Sequence, residues 1–338
     1  DYTVRNYQTE ACGNLHGICT ERALHLRSPG GRMSFIVQLP LTSSSRMASV
    51  RRCITSASKT VIAVPFDDRP GKLFEGLQHC RSVIFFSEGG TERCERALVM
   101  AGYKRWATEV REYLFPTLRY TIIDRQQIQD DQFPKTASHL QLSAFQKVTN
   151  RAAQSLRDYV NRRSTDYFVF YQEATGYWVK ATIRLPYYAK NDQVGAPAHG
   201  RYLYFRDPQA AHAACAVLNS SLFYVYFIAY GDCFHLSDKL TKSFPVNPNI
   251  MKDKELAALN SKLMADLKAN AETTTIHTRD GDDIEYAEFY ASKSKHIIDE
   301  IDRILARHYG FSAEEVDFIL NYDIKYRLGQ DDAGEGEA

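Results

Sequence analysis

The stretch that most limits what this chain can fold into runs from Gly13 to Pro40, GNLHGICTERALHLRSPGGRMSFIVQLP. Leu15, Ile18, Cys19, Ala23 and Leu26 recur at the spacing of one helical face. Ser28, Pro29, Gly30 and Gly31 stop that helix, because proline cannot continue the ladder and glycine takes a left-handed cap. Met33 to Leu39 is nearly all apolar, as expected of a strand covered on both faces of a parallel sheet. The unit is half of an α/β crossover, and it needs a strand before it.

Two further apolar runs, Thr60–Phe66 and Ser82–Phe86, read as buried strands. Thr42–Ser45 supplies potential N-caps for a helix whose Met47, Val50, Ile54 and Ala57 face inward. Arg46, Arg51 and Arg52 on that helix are read as available to solvent or ligand. Three strands alone form a thin sheet with long open edges, so the sheet is expected to continue in other polypeptide. Tyr103–Phe115 and Arg151–Arg163 read as helices, with an irregular stretch between. Residues 166–185 read as a hairpin turning at Ala174–Tyr177, Tyr187–Gly200 as a loop, and Arg201–Phe205 as a short strand. Gln209–Tyr230 is one very apolar helix, but Asn219-Ser-Ser221 at its centre and His212 argue against a membrane span. Met251–Asn270 and Phe289–His308 read as amphipathic helices joined by a polar loop around Asp280–Asp283. Ser312 N-caps a short helix with Glu314 and Glu315 in its first turn.

The 338 residues, with 44% hydrophobic and 25% charged side chains, suffice for two domains with their own cores. The formal charge of +1 leaves open a local basic face. Seven cysteines without a CxxC pair fit free thiols in a reducing compartment. No basic-then-apolar leader opens the chain. A cytoplasmic protein is expected, and an opening Asp1 in place of Met points to a processed or excerpted chain.

No glycine-rich nucleotide loop, metal-ligand spacing, HExxH or GxSxG is present. Cys233 and His235 with Asp232 lack the second ligand pair that a metal needs. Arg69-Pro-Gly-Lys-Leu-Phe74 is the loop that stands out. Phe74, with Arg69 and Lys72 as cationic neighbours, can stack a nucleobase while the cations hold phosphate. Spacing alone favours the other reading, in which Leu73 and Phe74 plug the core with the charges solvated, since apolar loop residues mostly pack inward.

The segments GNLHGICTERALHLRSPGGRMSFIV, SVRRCIT and RPGKLFEGLQHCRSVIFF resemble the later half of the catalytic domain of adenine-N6 DNA methyltransferases. The likeness is to TaqI-like enzymes, fused restriction–methylation (type IIG) enzymes and phage-defence methylases. It continues through YKRWATEVREYLF, LNSSLFYVYFIAYGDCFHLSDKLTKSFPV and IDEIDRILARHYGFSAEEVDFILNYDIKYRLG, which resemble a target-recognition domain. The resemblance implies a partial Rossmann-like α/β methyltransferase sheet in 1–125. An α+β DNA-recognition domain with C-terminal helices follows in 126–329, then a disordered acidic tail in 330–338. It implies methyl transfer from S-adenosylmethionine to a flipped adenine in double-stranded DNA.

Phe74 then falls where the family stacks the flipped base, and Asn14 and Leu15 fall near the pocket. Neither the family's cofactor loop nor its Asn/Asp-Pro-Pro-Tyr/Phe motif is in this sequence, and Gln38 stands where relatives carry proline. The resemblance therefore implies that the chain alone is inactive, and that a second polypeptide or a missing N-terminal region supplies the cofactor-binding half. Tyr177, Lys180, Arg184, Arg201, Lys239, Lys242 and Ser243 are the candidates for DNA contact in the second domain. The rival expectation is a non-catalytic DNA-recognition subunit of a restriction or defence complex.

Overall fold

The computed structural model describes residues 5–76, 80–90, 96–124, 131–197 and 199–329. The tail 330–338 lies outside them. The chain divides into two units, Asp1–Leu142 with Ile228–Asp232, and Ser143–Phe227 with Cys233–Ala338.

In the first unit, α1 (Leu15–Leu26) begins at Asn14, whose side chain accepts from the His16 amide. Then follow β1 (Arg32–Gln38), α2 (Ala48–Ser56), β2 (Ser58–Phe66), β3 (Ser82–Gly89), β4 (Ala97–Ala101) and β5 (Tyr120–Ile123). They form a mixed sheet in the order β1-β3-β2-β4-β5. β3 is antiparallel to both β1 and β2, so these two run parallel to each other. β4 adds parallel to β2, and β5 antiparallel to β4. The sheet is thus mixed and has five strands, where a three-stranded parallel sheet is expected from sequence. Strand β4 closes the β2 edge, and the β1 edge has no partner among the described residues.

Strand β1 departs from expectation in a second way. It is an edge strand whose residues alternate in exposure, with Ile36 49% exposed beside a 46% exposed Phe86 on β3. One face of the sheet is closed. Val61, Ala63, Val83, Phe85, Leu98 and Met100 are buried there. The Arg27 side chain after α1 bonds both Ser87 on that face and the Ala57 carbonyl after α2, so the two helices share it.

The apolar spacing in α1 marks the wrong side. Gly17, Thr20, Glu21 and Leu24 are the buried residues, while Leu15 (74%) and Leu26 (69%) are exposed. The reason is at Gly17, where a Cβ would sit 3.0 Å from Val50 of α2; small residues let the helices approach closely. Glu21 is buried because it accepts from the Gln8 and Thr9 amides and the Thr9 hydroxyl. Burial alone would raise its carboxyl, but these bonds hold it below the usual range.

Met47, Val50 and Ile54 are buried as expected. Arg51 is not available to ligand: it is fully buried and donates to the carbonyls of Leu41, Ser44 and Asp131. Tyr103–Phe115 is not an α-helix; a 3-10 segment, Thr108–Tyr113, is its only helical part. Trp106 and Leu114 from this segment pack with Val64, Phe66, Leu73 and Ile84, covering one end of the other sheet face.

The second unit contains α3 (His139–Arg151, entering from the first unit), β6 (Gln154–Ser155), β7 (Phe168–Gln172), β8 (Ala181–Thr182), β9 (Tyr188–Lys190), β10 (Gln193–Val194) and β11 (Gly200–Tyr204). It continues with α4 (Pro208–Asn219), α5 (Ser221–Tyr230), α6 (Asp238–Ser243), β12 (Pro245–Val246), α7 (Pro248–Met251) and α8 (Lys254–Ala269). β13 (Glu272–His277), β14 (Asp283–Glu288), α9 (Lys295–Tyr309), α10 (Ala313–Leu320) and α11 (Ile324–Arg327) complete it. The expected helix over Arg151–Arg163 is absent, because the helix ends at Arg151 and β6 follows. The hairpin over 166–185 exists as the β7/β8 pair, with β11 on its other side. The expected polar loop around Asp280 is the tip of the β13/β14 hairpin, and the expected loop 187–200 contributes β9 and β10 to the same four-stranded sheet. Ser312 caps α10 as expected, in a capping box with Glu315.

The apolar run 209–230 is two helices bent by 63°. Ser220 takes extended backbone between them, and the buried Asp302 carboxylate accepts from the Ser221 and Leu222 amides, capping α5. Asn219 clamps β8 by accepting from the Ala181 amide and donating to its carbonyl. No single described helix is long and apolar enough to cross a membrane. The six described cysteines are free thiols, with Cys12, Cys215 and Cys233 buried and Cys19 exposed.

Burial pushes the Asp302 carboxyl up to about 6, against the lowering effect of its backbone bonds and of Arg327. Because the folded-state value is raised, the native state holds a proton that the unfolded chain releases. Asp302 therefore contributes stability below about pH 4, and that contribution is lost as pH rises through about 6. Urea melts between pH 4 and 7 are expected to show Asp302→Asn gaining on the native chain as pH rises. Parallel curves would refute this.

Candidate nucleic-acid interface

In the first unit the candidate loop leaves the end of β2. Asp67 is buried, with Oδ2 2.8 Å from Arg105 Nε and Oδ1 3.1 Å from Arg81 Nε. Burial would raise its carboxyl, but the two guanidinium groups hold it below the usual carboxylate range. Asp68 lies 3.4 Å from Arg81 Nη2, and burial pushes its carboxyl up. Arg81 also donates to the Tyr103 hydroxyl at 2.9 Å. The buried charges beneath the loop are thus compensated by one another, as they must be in a low-dielectric interior.

Above them the chain rests on the segment 103–111. The Asp67 amide donates to the Lys104 carbonyl and the Gly71 amide to the Trp106 carbonyl. Gly71 must be glycine here, since a Cβ would lie 2.6 Å from the Trp106 ring and 2.7 Å from its carbonyl oxygen. Leu73 is buried in the cluster with Trp106, whereas Phe74, next in the chain, is 47% exposed. The two sequence alternatives for this pair therefore divide between its members: Leu73 plugs the core and Phe74 faces solvent. Lys72 is exposed and Arg69 half-buried. Asn14 is spent as the α1 cap, and Leu15 is exposed on the first turn of α1.

In the second unit the candidates fall into two groups. Arg201 on β11 is ion-paired with Glu173, and Lys242 on α6 with Asp238 at 2.8 Å. Both pairs surround Tyr171, whose hydroxyl is pushed up to about 12, foremost by burial. Lys239 is exposed on the first turn of α6, and Ser243 donates to the Leu240 carbonyl at the helix end. These four candidates lie on β11 and α6, elements that meet around Tyr171. A phosphate there would exchange with surface carboxylates, a small cost because exposed pairs are worth about 0–1 kcal/mol.

Tyr177 belongs elsewhere. Its ring stacks on Tyr326 at 6.3 Å, and its carbonyl accepts from Arg327. It is therefore part of the packing of α11. Lys180 is half-buried just before β8, and Arg184 is exposed just after it, its carbonyl accepting from Thr182.

Residues missed from sequence are those that build the loop's seat: Asp67, Arg81, Arg105, Trp106 and Arg111. Their signal is obscured because Tyr103–Phe115 reads as a helix, whereas Arg105, Trp106 and Arg111 act from irregular and 3-10 backbone. Among the described residues no group of three or more His, Cys, Asp or Glu is placed to hold a metal ion.

No protein-family model matches the chain, and no curated protein matches it. Among solved structures, the chain is similar to the type IIG restriction endonuclease BpuSI at 9% identity and a TM-score of 0.32, over 90% of this chain and 49% of that one. It is also similar to the DrdV–DNA complex at 10% identity and a TM-score of 0.35, over 72% of this chain and 38% of that one. The chain thus spans half or less of the length of each.

Proposed function

We propose that this chain is the C-terminal part of a site-specific adenine-N6 DNA methyltransferase of a restriction–modification or phage-defence system. It supplies part of the catalytic sheet and the DNA-recognition domain, and other polypeptide supplies the cofactor-binding half. The observation that carries the reading is the open edge of β1.

The handedness of α/β connections says what that edge awaits. β1 and β2 are parallel and joined through α2, and α1 lies on the same sheet face as α2. Crossovers between parallel strands are right-handed in about 98% of cases. A strand leading into α1 and parallel to β1 therefore belongs on the side of β1 away from β3, which is the open edge. The exposed stripe Leu15, Cys19, Arg22 and Leu26 on α1 has the spacing of one helical face. It supports the same extension.

S-adenosylmethionine is not accommodated by the residues present. The buried carboxylates of the first unit, Glu21, Asp67 and Asp68, are committed to Thr9 and to Arg81 with Arg105, and among the described residues no glycine-rich cradle follows a strand. No step of methyl transfer is therefore assigned to this chain. Its own contribution is the Phe74 ring, offered to stack on a flipped adenine, with Arg69 and Lys72 of the same loop and the β11/α6 group for phosphate contact.

The test has two arms. The isolated chain should bind duplex DNA with affinity falling on the order of 10²–10³-fold from 50 to 200 mM salt, as about five phosphate contacts require. It should transfer no labelled methyl group from S-adenosylmethionine until a polypeptide carrying the cofactor loop is added. Methylation by the chain alone would overturn the split, and absence of DNA affinity at any salt would overturn the whole reading. Stable co-purification with a nuclease or helicase, and no methyl transfer with any partner, would establish the non-catalytic recognition subunit instead.

A further inference from the structure

We propose that Arg111 is a positioning residue that fixes the backbone at Lys72 and Leu73, and so holds the Phe74 ring ready to stack on an unpaired adenine. The inference rests on the reading of Phe74 given above and adds to it the group that pre-organises the ring.

Arg111 Nη1 donates to the Lys72 carbonyl at 2.8 Å and Nη2 to the Leu73 carbonyl at 2.6 Å. Its guanidinium lies over the Trp106 ring, 5.4 Å from the centroid. One planar cation thus ties two consecutive carbonyls, the second of them in the peptide that leads into Phe74. The backbone ties from the Asp67 and Gly71 amides lie before Lys72. Beyond Leu73 the chain turns outward, and Phe74, Glu75 and Gly76 are exposed.

Without Arg111, the buried Leu73 side chain is the remaining anchor between Gly71 and Phe74 among the described residues. An exposed aromatic on a loose loop must be ordered when it binds, and that ordering subtracts from affinity. Lysine cannot replace this group, because a compact ammonium on a flexible stem does not present two donors in a fixed fork.

The experiment compares binding of the whole chain to two duplexes of the same sequence, one fully paired and one with a single unpaired adenine. Base–aromatic stacking predicts about a tenfold preference for the unpaired site, lost in Phe74→Ala. Arg111→Ala and Arg111→Lys are both expected to remove most of that preference, with paired-duplex affinity unchanged and the fold retained by circular dichroism. The double variant Phe74→Ala/Arg111→Ala should bind no worse than Phe74→Ala alone, as for two residues acting through one ring.

Full preference in both Arg111 variants overturns the proposal. So does an equal loss on both duplexes with a shallower salt dependence, which marks a direct phosphate contact. A preference retained in Phe74→Ala overturns the Phe74 reading itself, a distinct outcome.

Discussion

Arg327→Ala is expected to destabilise the second unit by about 3–5 kcal/mol, the range for removing one partner from a buried charged network. Arg327 is buried, with its guanidinium carbon 3.8 Å from the Trp178 ring centroid and 4.7 Å from that of Tyr224. It donates to the Ser221 hydroxyl from both terminal nitrogens at 3.2 Å, and to the Tyr177 carbonyl. Its own carbonyl accepts from Trp178 Nε1 at 2.8 Å. Removing the guanidinium leaves Ser221 and the Tyr177 carbonyl short of a donor and opens a void between two aromatic rings. It also takes away the cation that favours ionised Asp302, so the Asp302 carboxyl should rise further. The penalty should therefore be larger at pH 7 than at pH 4. Denaturant melts at the two pH values measure both effects, and a loss below about 1 kcal/mol, the level of an ordinary surface change, would show that the network is not holding α11 in place.

The second large effect concerns assembly. Leu15→Asp combined with Ile36→Lys changes two exposed side chains, so the isolated chain should keep its melting behaviour to within about 0.5 kcal/mol. If the β1 edge and the α1 stripe receive the cofactor-binding polypeptide, the same variant must bury two unpaired charges on assembly. Burying such groups without partners costs several kcal/mol, and a lysine on an edge strand is a device that opposes strand addition. Affinity for that polypeptide should fall by about 100-fold or more, a change of roughly 2.7 kcal/mol, and reconstituted methyl transfer should fall with it. Assembly of unchanged strength would place the interface elsewhere.

Local signals in the sequence reach a definite distance. Ser312 locates a helix start because a cap is made by neighbours in the chain, whereas the Gly30–Gly31 stop marks where α1 is over without capping it, since Arg27 at the helix end takes extended backbone. Buried strands such as Thr60–Phe66 and Ser82–Phe86 are legible because only burial on a packed face accounts for so many apolar residues in a row. The Asn219-Ser-Ser221 interruption is visible too, although the bend it makes depends on Asp302, eighty residues away. The exposed aromatic at Phe74 and its cations are likewise visible as residue types, but not which of Leu73 and Phe74 faces inward.

What the amino-acid sequence determined by itself, then, is the set of caps, stops and apolar runs, since these arise from contacts within a few residues. Tertiary structure alone decided that β3 inserts between β1 and β2, that β4 and β5 extend the sheet on one side only, and that Gly17 and Thr20 turn inward while Leu15 faces out. It also decided that Arg51 is buried and that Arg111 holds the Phe74 loop. Each of these depends on pairing or close approach between segments tens of residues apart. Periodicity reports that a residue is apolar, and only the packed fold reports what stands opposite it.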